Sequence, residues 1–332
     1  MAKKVVLIIV TNYPQLSQTY KENEIKYLVG DYEVFVAATS KPDKPIKMHF
    51  PYFFTPNAET LAKLIKQIRP DFIHGHYLFT LPTVASAAKA AGNIPYTVRG
   101  HSFDMINKPR EYLQQYNRFI GQDNFAGLLV FPFMIPTLVE AGYSQEKLIP
   151  SHPVVDYQRF LDRSPNGDGV INTGACIPKK AMHEYVDLAK LVPEKKFELI
   201  PIGYKEERLT EYNRAAGSPL TIRNTVEPWR MPKLYKRARW LVYTADRTLA
   251  DVGWPMAIAE AQASGCGVLI QNIRPDMADY IDGAGYTFEN LDEAAERLRT
   301  PYPTEMRERG FEVAKRSDIA ANIAQLSALW EI

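Results

Sequence analysis

Residues 151–169 read "SHPVVDYQRFLDRSPNGDG". The stretch is dense in Pro, Asp, Ser and Gly and reads as a linker. What flanks it decides the fold. Upstream, short apolar runs alternate with amphipathic helical patterns. "VVLIIV" (5–10) and "YEVFVAAT" (32–39) are strands, with the helix "KENEIKYLVG" (21–30) between them and Gly30 as its stop. "TLAKLIKQIR" (60–69) has apolar residues at 61, 64, 65 and 68, a helix that Pro70 should end. "DFIHGH" (71–76), "PYTVRG" (95–100) and "AGLLVFP" (126–132) are further strands, and "LPTVASAAKAAG" (81–92) is a helix with Pro82 in its first turn. This order predicts a parallel sheet covered on both faces.

Downstream the alternation restarts. "GVINTG" (169–174), "KFELIPIG" (196–203), "LTIRN" (220–224), "RWLVYTA" (239–245) and "CGVLIQN" (266–272) read as strands. "KKAMHEYVDLAKLV" (179–192), "KEERLTEYNRAAG" (205–217), "MPKLYKRA" (231–238) and "MAIAEAQASG" (256–265) read as helices. "SDIAANIAQLSALWEI" (317–332) is an amphipathic helix that Ser317 should cap. The expected organisation is an N-terminal Rossmann-like unit over 1–155 and a second over 156–316, with the last helix, about 317–332, free to pack back on the first. Two α/β units joined by a hinge imply a cleft, since ligands of open parallel sheets sit beyond the strand carboxyl ends.

Composition narrows the class. The 332 residues are 46% apolar and 23% charged, which excludes wholesale disorder. The net charge of +2 excludes a strongly polyanion-binding chain. It is uneven: residues 1–150 are near +4 and the remainder near −2, a mild basic bias suited to an anionic ligand or a membrane surface. Cys176 and Cys266 have no metal-site or disulfide spacing and read as small buried hydrophobes. The apolar run of "MAKKVVLIIV" is too short for a signal peptide, and no stretch approaches the roughly 20 apolar residues of a membrane span. A cytoplasmic protein is expected, with peripheral contact at the inner membrane face compatible with the basic first half. The chain lacks GxGxxG after a strand and GxxxxGK[ST], which argues against dehydrogenase and P-loop functions.

Four stretches carry polar residues where ligands would sit. Ser17, Gln18 and Thr19 stand where strand one meets a helix, either as donors to a ligand or as helix caps. His74 and His76, two apart at a strand end, are expected on opposite faces, and this spacing makes no metal site. Arg99, His101 and Asp104 surround the turn after "YTVRG", where a histidine donates to a sugar hydroxyl or phosphate or is a satisfied loop residue. Lys179 and Lys180 open a helix against its dipole, a conflict that an anion would resolve and that solvation also relieves. In "DVGWPMAIAEAQASG" (251–265), Gly253 lets backbone approach a ligand, Pro255 suits a first helical turn, and Glu260 falls near the second turn.

Together these stretches resemble glycosyltransferase family 4, retaining enzymes of the GT-B fold: an α/β fold of two Rossmann-like parallel-sheet domains facing a cleft. "YPQLSQTYKENEI" is similar to the family's "YPxLSETFxxxEI", "PVVDYQRF" to "NGVDxxxF", and "GWPMAIAEAQASGCGV" to "EGFPxxxxEAMAxGxPV". "PDFIHGHY", "VRGHSFDM", "GACIPKK" and "LYKRARWLVYTA" follow the family order. The resemblance implies transfer of a sugar from a nucleotide diphosphate to an acceptor hydroxyl, with retention and without a metal or other cofactor. It implies that Glu260 holds the nucleotide ribose and that Lys180, beside Lys179, binds the diphosphate. Gly253, Trp254 and Pro255 would present backbone amides to the donor, and His101 would lie near the transferred sugar. Ser17, Gln18 and Thr19, with Arg99 and Asp104, would contact phosphate or acceptor. The acceptor is left open among a glycan, a lipid-linked sugar, another hydroxyl compound and a nucleic acid.

Three positions depart from the family pattern. Val252 stands where a glutamate is usual, and Asp251, one step away, is the candidate to take its place in holding the donor. Ala175 stands where an arginine is usual, leaving Arg223, Arg230 and Arg247 as replacements for its charge. Gly267 stands for a proline. A nucleotide-sugar epimerase of similar fold and a catalytically lapsed binding protein are the alternative functions.

Overall fold

The structure, a computed structural model, describes residues 2–47, 49–202 and 206–331. Gly203 and Lys205, in an expected strand and an expected helix, lie outside the described residues, as do Met1, Met48, Tyr204 and Ile332. Two compact units result: residues 1–154 with 319–332, and residues 155–318.

The first unit is a seven-stranded sheet. Its strands are β1 (Val5–Val10), β2 (Glu33–Ala38), β3 (Phe53–Phe54), β4 (Phe72–His76), β5 (Tyr96–Arg99), β6 (Phe125–Val130) and β7 (Leu148–Pro150), in the order β3-β2-β1-β4-β5-β6-β7. Every pairing is parallel. The period of two in β1 divides the core. Leu7 and Ile9 join one apolar cluster with Leu64 and Val84, while Val6, Ile8 and Val10 join another with Ile25 and Leu28. The first helix, Thr19–Leu28, covers the second face together with the terminal helix Ile319–Ala328. Trp330 completes that docking: its ring stacks on Phe72 at 5.3 Å and its indole N–H donates to Thr97 Oγ1 at 3.0 Å.

The second unit is a six-stranded sheet of β8 (Gly169–Gly174), β9 (Phe197–Pro201), β10 (Leu220–Ile222), β11 (Ala238–Tyr243), β12 (Gly267–Gln271) and β13 (Tyr286–Phe288). The order is β10-β9-β8-β11-β12-β13, again parallel. Both sheets reverse strand order once, at β1/β4 and at β8/β11. Loops diverge from such a switch point and leave a crevice at the carboxyl ends of the two strands.

Several helix ends differ from expectation. Lys179 and Lys180 do not open a helix. They lie in a 3-10 turn, Pro178–Lys180, and Ala181 then turns left-handed (φ 42°) before the helix Met182–Leu191 begins. Neither Ser17 nor Thr19 caps the first helix: Gln18 holds the cap position and makes no side-chain cap bond. Ser317 is buried in a 3-10 turn and the terminal helix starts two residues later. The helix Ala58–Ile68 ends not through Pro70 alone but through Arg69, which is exposed and left-handed (φ 48°, ψ 66°). A side chain there strains against its own backbone. Arg69→Gly is therefore expected to raise unfolding stability by about 0.5–1 kcal/mol, read from the urea midpoint; an unchanged or lower midpoint would refute the strain.

Candidate active site

At the β1/β4 switch point of the first unit, Tyr20, Lys21 and Glu24 project from the first helix. Glu24 is fully buried, and Arg99 from the end of β5 donates through Nε to its Oε2 at 2.9 Å. Arg99 Nη1 donates to Ser151 Oγ at 2.5 Å, and Ser151 donates in turn to Asn322 of the terminal helix. His74 Nε2 stands 2.8 Å from the other Glu24 oxygen. Burial would raise this carboxyl, but Arg99 and His74 outweigh it and hold it below the ordinary value. Alternate residues of a strand share a face, so His74 and His76 both turn toward Glu24 rather than apart, their rings 5.1 Å from each other. Glu24, His74 and His76 bring three potential ligand atoms within 4.8 Å, yet the guanidinium of Arg99 already neutralises that carboxylate.

His101 extends this cluster. Its Nε2 lies 3.2 Å from His76 Nδ1, and its ring lies against Tyr20 (4.4 Å) and Tyr77 (4.7 Å). Burial and then the charge of Arg99 push its basicity well down, so it is a neutral imidazole. Asp104 accepts from the backbone N–H groups of Leu78 and His101, tying the loops after β4 and β5 together. Its burial outweighs those donors and lifts it to about 7. Arg99 and Asp104 thus have internal partners: Arg99 ties the first helix to β5, and Asp104 shapes the loop that carries His101. Lys21 is fully buried without a carboxylate partner among the described residues. Its ammonium donates to Thr11 O and to Gln18 Oε1, both at 2.5 Å, and lies 5.0 Å from the Tyr77 ring centroid. Burial lowers this amine to about 7. Because Gln18 spends its carbonyl oxygen on Lys21, its amide N–H groups are what it can offer a ligand.

At the β8/β11 switch point of the second unit, Lys180 folds back over the end of β8. Gly174 has φ 141°, and a Cβ there would lie 2.1 Å from Lys180 Nζ, so only glycine leaves the amine its place. The amine also sits 5.3 Å from the Tyr243 ring centroid. Burial and then Lys179 lower it to about 8, a cation poised to gain from an anion. The loop after β11 is tied to this turn: Thr244 Oγ1 donates to Lys180 O, Asp246 N donates to Lys179 O, and Lys179 Nζ reaches Asp251 O at 3.3 Å. The Asp251 carboxylate faces Lys179 at 3.9 Å, and Val252 points inside.

The Gly-Trp-Pro turn is clamped from below. Arg274 donates to the carbonyls of Ala250 and Val252, each at 2.7 Å, and pairs with Asp276. Trp254 donates its indole N–H to Asp276 and stacks on Tyr280, whose hydroxyl holds Pro255 O. With the Trp254 side chain spent inside, the turn has backbone and Gly253 to present. Pro255 then precedes the helix Met256–Ala263, and Glu260 falls on its second turn. Tyr235 donates to Glu260 Oε2 at 2.8 Å. Burial lifts the Glu260 carboxyl to about 7 against that bond and the field of Arg159.

Residues 6–126 match the model of a family described as Glycosyltransferase Family 4. The match lies within the first unit. The motifs "YPQLSQTYKENEI", "PDFIHGHY" and "VRGHSFDM" all fall within the matched residues; those of the second unit lie beyond them. Among solved structures, Anabaena HepE in complex with UDP is similar at a TM-score of 0.77 and 14% identity, covering 98% of each chain. Sucrose-phosphate synthase from Thermosynechococcus elongatus gives 0.73 at 13% identity over 99% of this chain and 98% of that one. The lipopolysaccharide outer core galactosyltransferase WaaB gives 0.65 at 14% identity, covering 98% of each. These likenesses establish the GT-B fold across both units. No curated protein matches the sequence. The family match and that fold together support a glycosyltransferase.

Of the arginines that might replace the one missing at Ala175, Arg223 is spent on Glu198 and Arg247 on Glu289. Sequence reasoning passed over Lys21, Tyr235 and Arg159. Lys21 carried one legible signal: a lysine one turn before Ile25 and two before Leu28, on the side of the first helix that the apolar pattern turns inward. Among the described residues no helix is long and apolar enough to cross a membrane.

Proposed function

We propose that this chain is a glycosyltransferase that binds a nucleotide-diphosphate sugar in its second unit and transfers the sugar to an acceptor hydroxyl with retention, without a metal. The observation that carries the reading is the pairing of two features at one switch point. A partly buried lysine amine stands over the end of β8, and the turn tied to it leads into a helix bearing a half-buried carboxylate. The amine and the backbone N–H groups after Gly253 suit a diphosphate. The carboxylate, four residues into the helix, suits hydroxyls of a ribose. HepE has been solved with UDP-glucose, which makes uridine diphosphate sugars the first donors to test.

In the transfer, the bond from the anomeric carbon to the diphosphate oxygen breaks and one to the acceptor oxygen forms on the same face. The acceptor proton passes to the leaving diphosphate. Lys180 stabilises the charge that collects there; because burial has lowered its pKa, it gains more from that charge than an exposed lysine would. Retention and metal independence rest on the family resemblance.

The test is a melting screen against uridine, guanosine and adenosine diphosphates, then product analysis with the matching sugar donor and chelator present. One diphosphate should raise the melting temperature, and Lys180→Ala should cost about tenfold or more in diphosphate affinity while sparing the nucleoside. NMR of the product should show the donor's anomeric configuration. Binding of no diphosphate, or an inverted product, overturns the reading.

A further inference from the structure

Arg159 is left out of every role above. It sits on the short helix Tyr157–Phe160, which packs against the helix carrying Glu260. Its Nη2 is buried and has no hydrogen-bond partner, and its guanidinium forms no ion pair among the described residues. A buried guanidinium N–H without a partner is costly and asks for an explanation. The neighbouring side chains fix where that explanation lies. Phe160 packs edge-on against Tyr235 at 5.9 Å, and Tyr235 holds Glu260 by its Oε2. Glu260 Oε1 has no protein partner among the described residues. Arg159 acts on Glu260 through its field, yet no nitrogen of one comes within 4.0 Å of an oxygen of the other. A donor and an acceptor of opposite charge thus share one environment in the second unit without joining.

The chemistry of that gap is selective. A phosphate would meet Arg159 well but be repelled by Glu260. An ammonium would meet Glu260 and be repelled by Arg159. A neutral hydroxyl suits both, since it accepts from the guanidinium while donating to the carboxylate. We propose that Arg159 and Glu260 together form a two-handed clamp on a ribose hydroxyl of the donor nucleotide, making Arg159 a specificity-determining residue for ribo- over deoxyribonucleotides. This rests on the donor reading of the second unit and goes further by giving a named role to an arginine outside the family pattern. A site built around a hydroxyl rejects the analogue lacking it, because both protein groups are then left unpaired.

The test is calorimetric titration with uridine diphosphate and its 2′-deoxy and 3′-deoxy forms, or the guanosine or adenosine set if the wild type binds that base. Wild type should bind the ribonucleotide at least about tenfold more tightly than one of the deoxy forms. Arg159→Met should lose about tenfold on the ribonucleotide and little on that deoxy form, collapsing the ratio. Arg159→Lys keeps the charge but not the fork and should recover only part of it. Among the described residues the guanidinium makes no hydrogen bond to lose, so Arg159→Met should fold and melt with the wild type near about pH 5, where Glu260 is neutral; any loss at alkaline pH reads its field on Glu260, and a change in the ribo-to-deoxy ratio reads binding. If the wild type binds no nucleoside diphosphate, the donor reading fails. If it binds and the ribo-to-deoxy ratio is the same in Arg159→Met, only the clamp fails.

Discussion

Arg99→Met should destabilise the protein by about 3–5 kcal/mol at neutral pH, the cost of leaving one member of a buried pair without the other. Glu24 has no exposure and Arg99 only 4%, so water cannot replace the lost partner. His74, at 2.8 Å, already serves the other Glu24 oxygen and does not replace the bond that Arg99 makes to Oε2. The loss should also depend on pH, with a sign that can be worked out. With Arg99 present the Glu24 carboxyl is held below its ordinary value. Its pairing therefore adds stability above the unfolded carboxyl pKa and loses it as pH falls through the lowered one. Without Arg99 only His74 still opposes burial, so the Glu24 carboxyl moves upward and the variant should lose stability relative to wild type as pH rises. Wild type and variant should accordingly converge toward acid pH and separate toward alkaline pH. Pairing Arg99→Met with Glu24→Leu removes both charges and should recover most of the loss. Urea denaturation of the two single and the double variant decides this. A single variant within about 1 kcal/mol of wild type at alkaline pH would mean the pair is not what holds the first helix to the sheet.

The two-unit α/β plan was legible because it is written in periodicity. β1 is an unbroken apolar run, and the alternation stops and restarts around residues 151–169. The carboxylate position in its helix was legible for the same reason. Three of the four short edge strands were not: β3 has two residues and β7 and β13 three each, too few for a period to show, whereas the three residues of β10 showed through the β-branched run "LTIRN". The lysine turn was misread because Ala181 is an alanine in a left-handed conformation, and nothing local marks it as a break. Arg99 sits in a loop motif by sequence, but the residue that claims it is Glu24, 75 positions away. Such long-range pairings have no local sign. Arg159 was overlooked for a related reason: its environment is set by a helix a hundred residues further on.

Glu260→Gln should stabilise the protein while weakening its donor site. The carboxyl stands at about 7 in the fold, burial being the main cause, against an ordinary value of 4.5. A raised carboxyl pKa means the fold holds the proton more tightly than the unfolded chain does. Below about pH 4.5 both states are protonated and the residue is neutral toward stability. Between the two values the unfolded chain releases the proton first, and stability falls as pH rises; above about 7 the penalty is complete, roughly 3 kcal/mol. A glutamine amide in its place can still accept from Tyr235 and has no charge to bury. The variant's melting curves should therefore match the wild type near about pH 4.5 and exceed it at about pH 8. The same change should lower nucleoside diphosphate affinity about tenfold or more at about pH 8, since an amide oxygen is a weaker acceptor for hydroxyls than a carboxylate. The wild type itself should bind its donor more tightly as pH rises through about 7, the range in which this carboxyl's contribution to stability falls. That opposition is the expected signature of a group kept in place for binding rather than for folding. If the variant and the wild type melt together across that whole pH range, the carboxyl is not buried as described. If the stability gain appears and affinity is unchanged, Glu260 is a buried acid with no part in holding the donor.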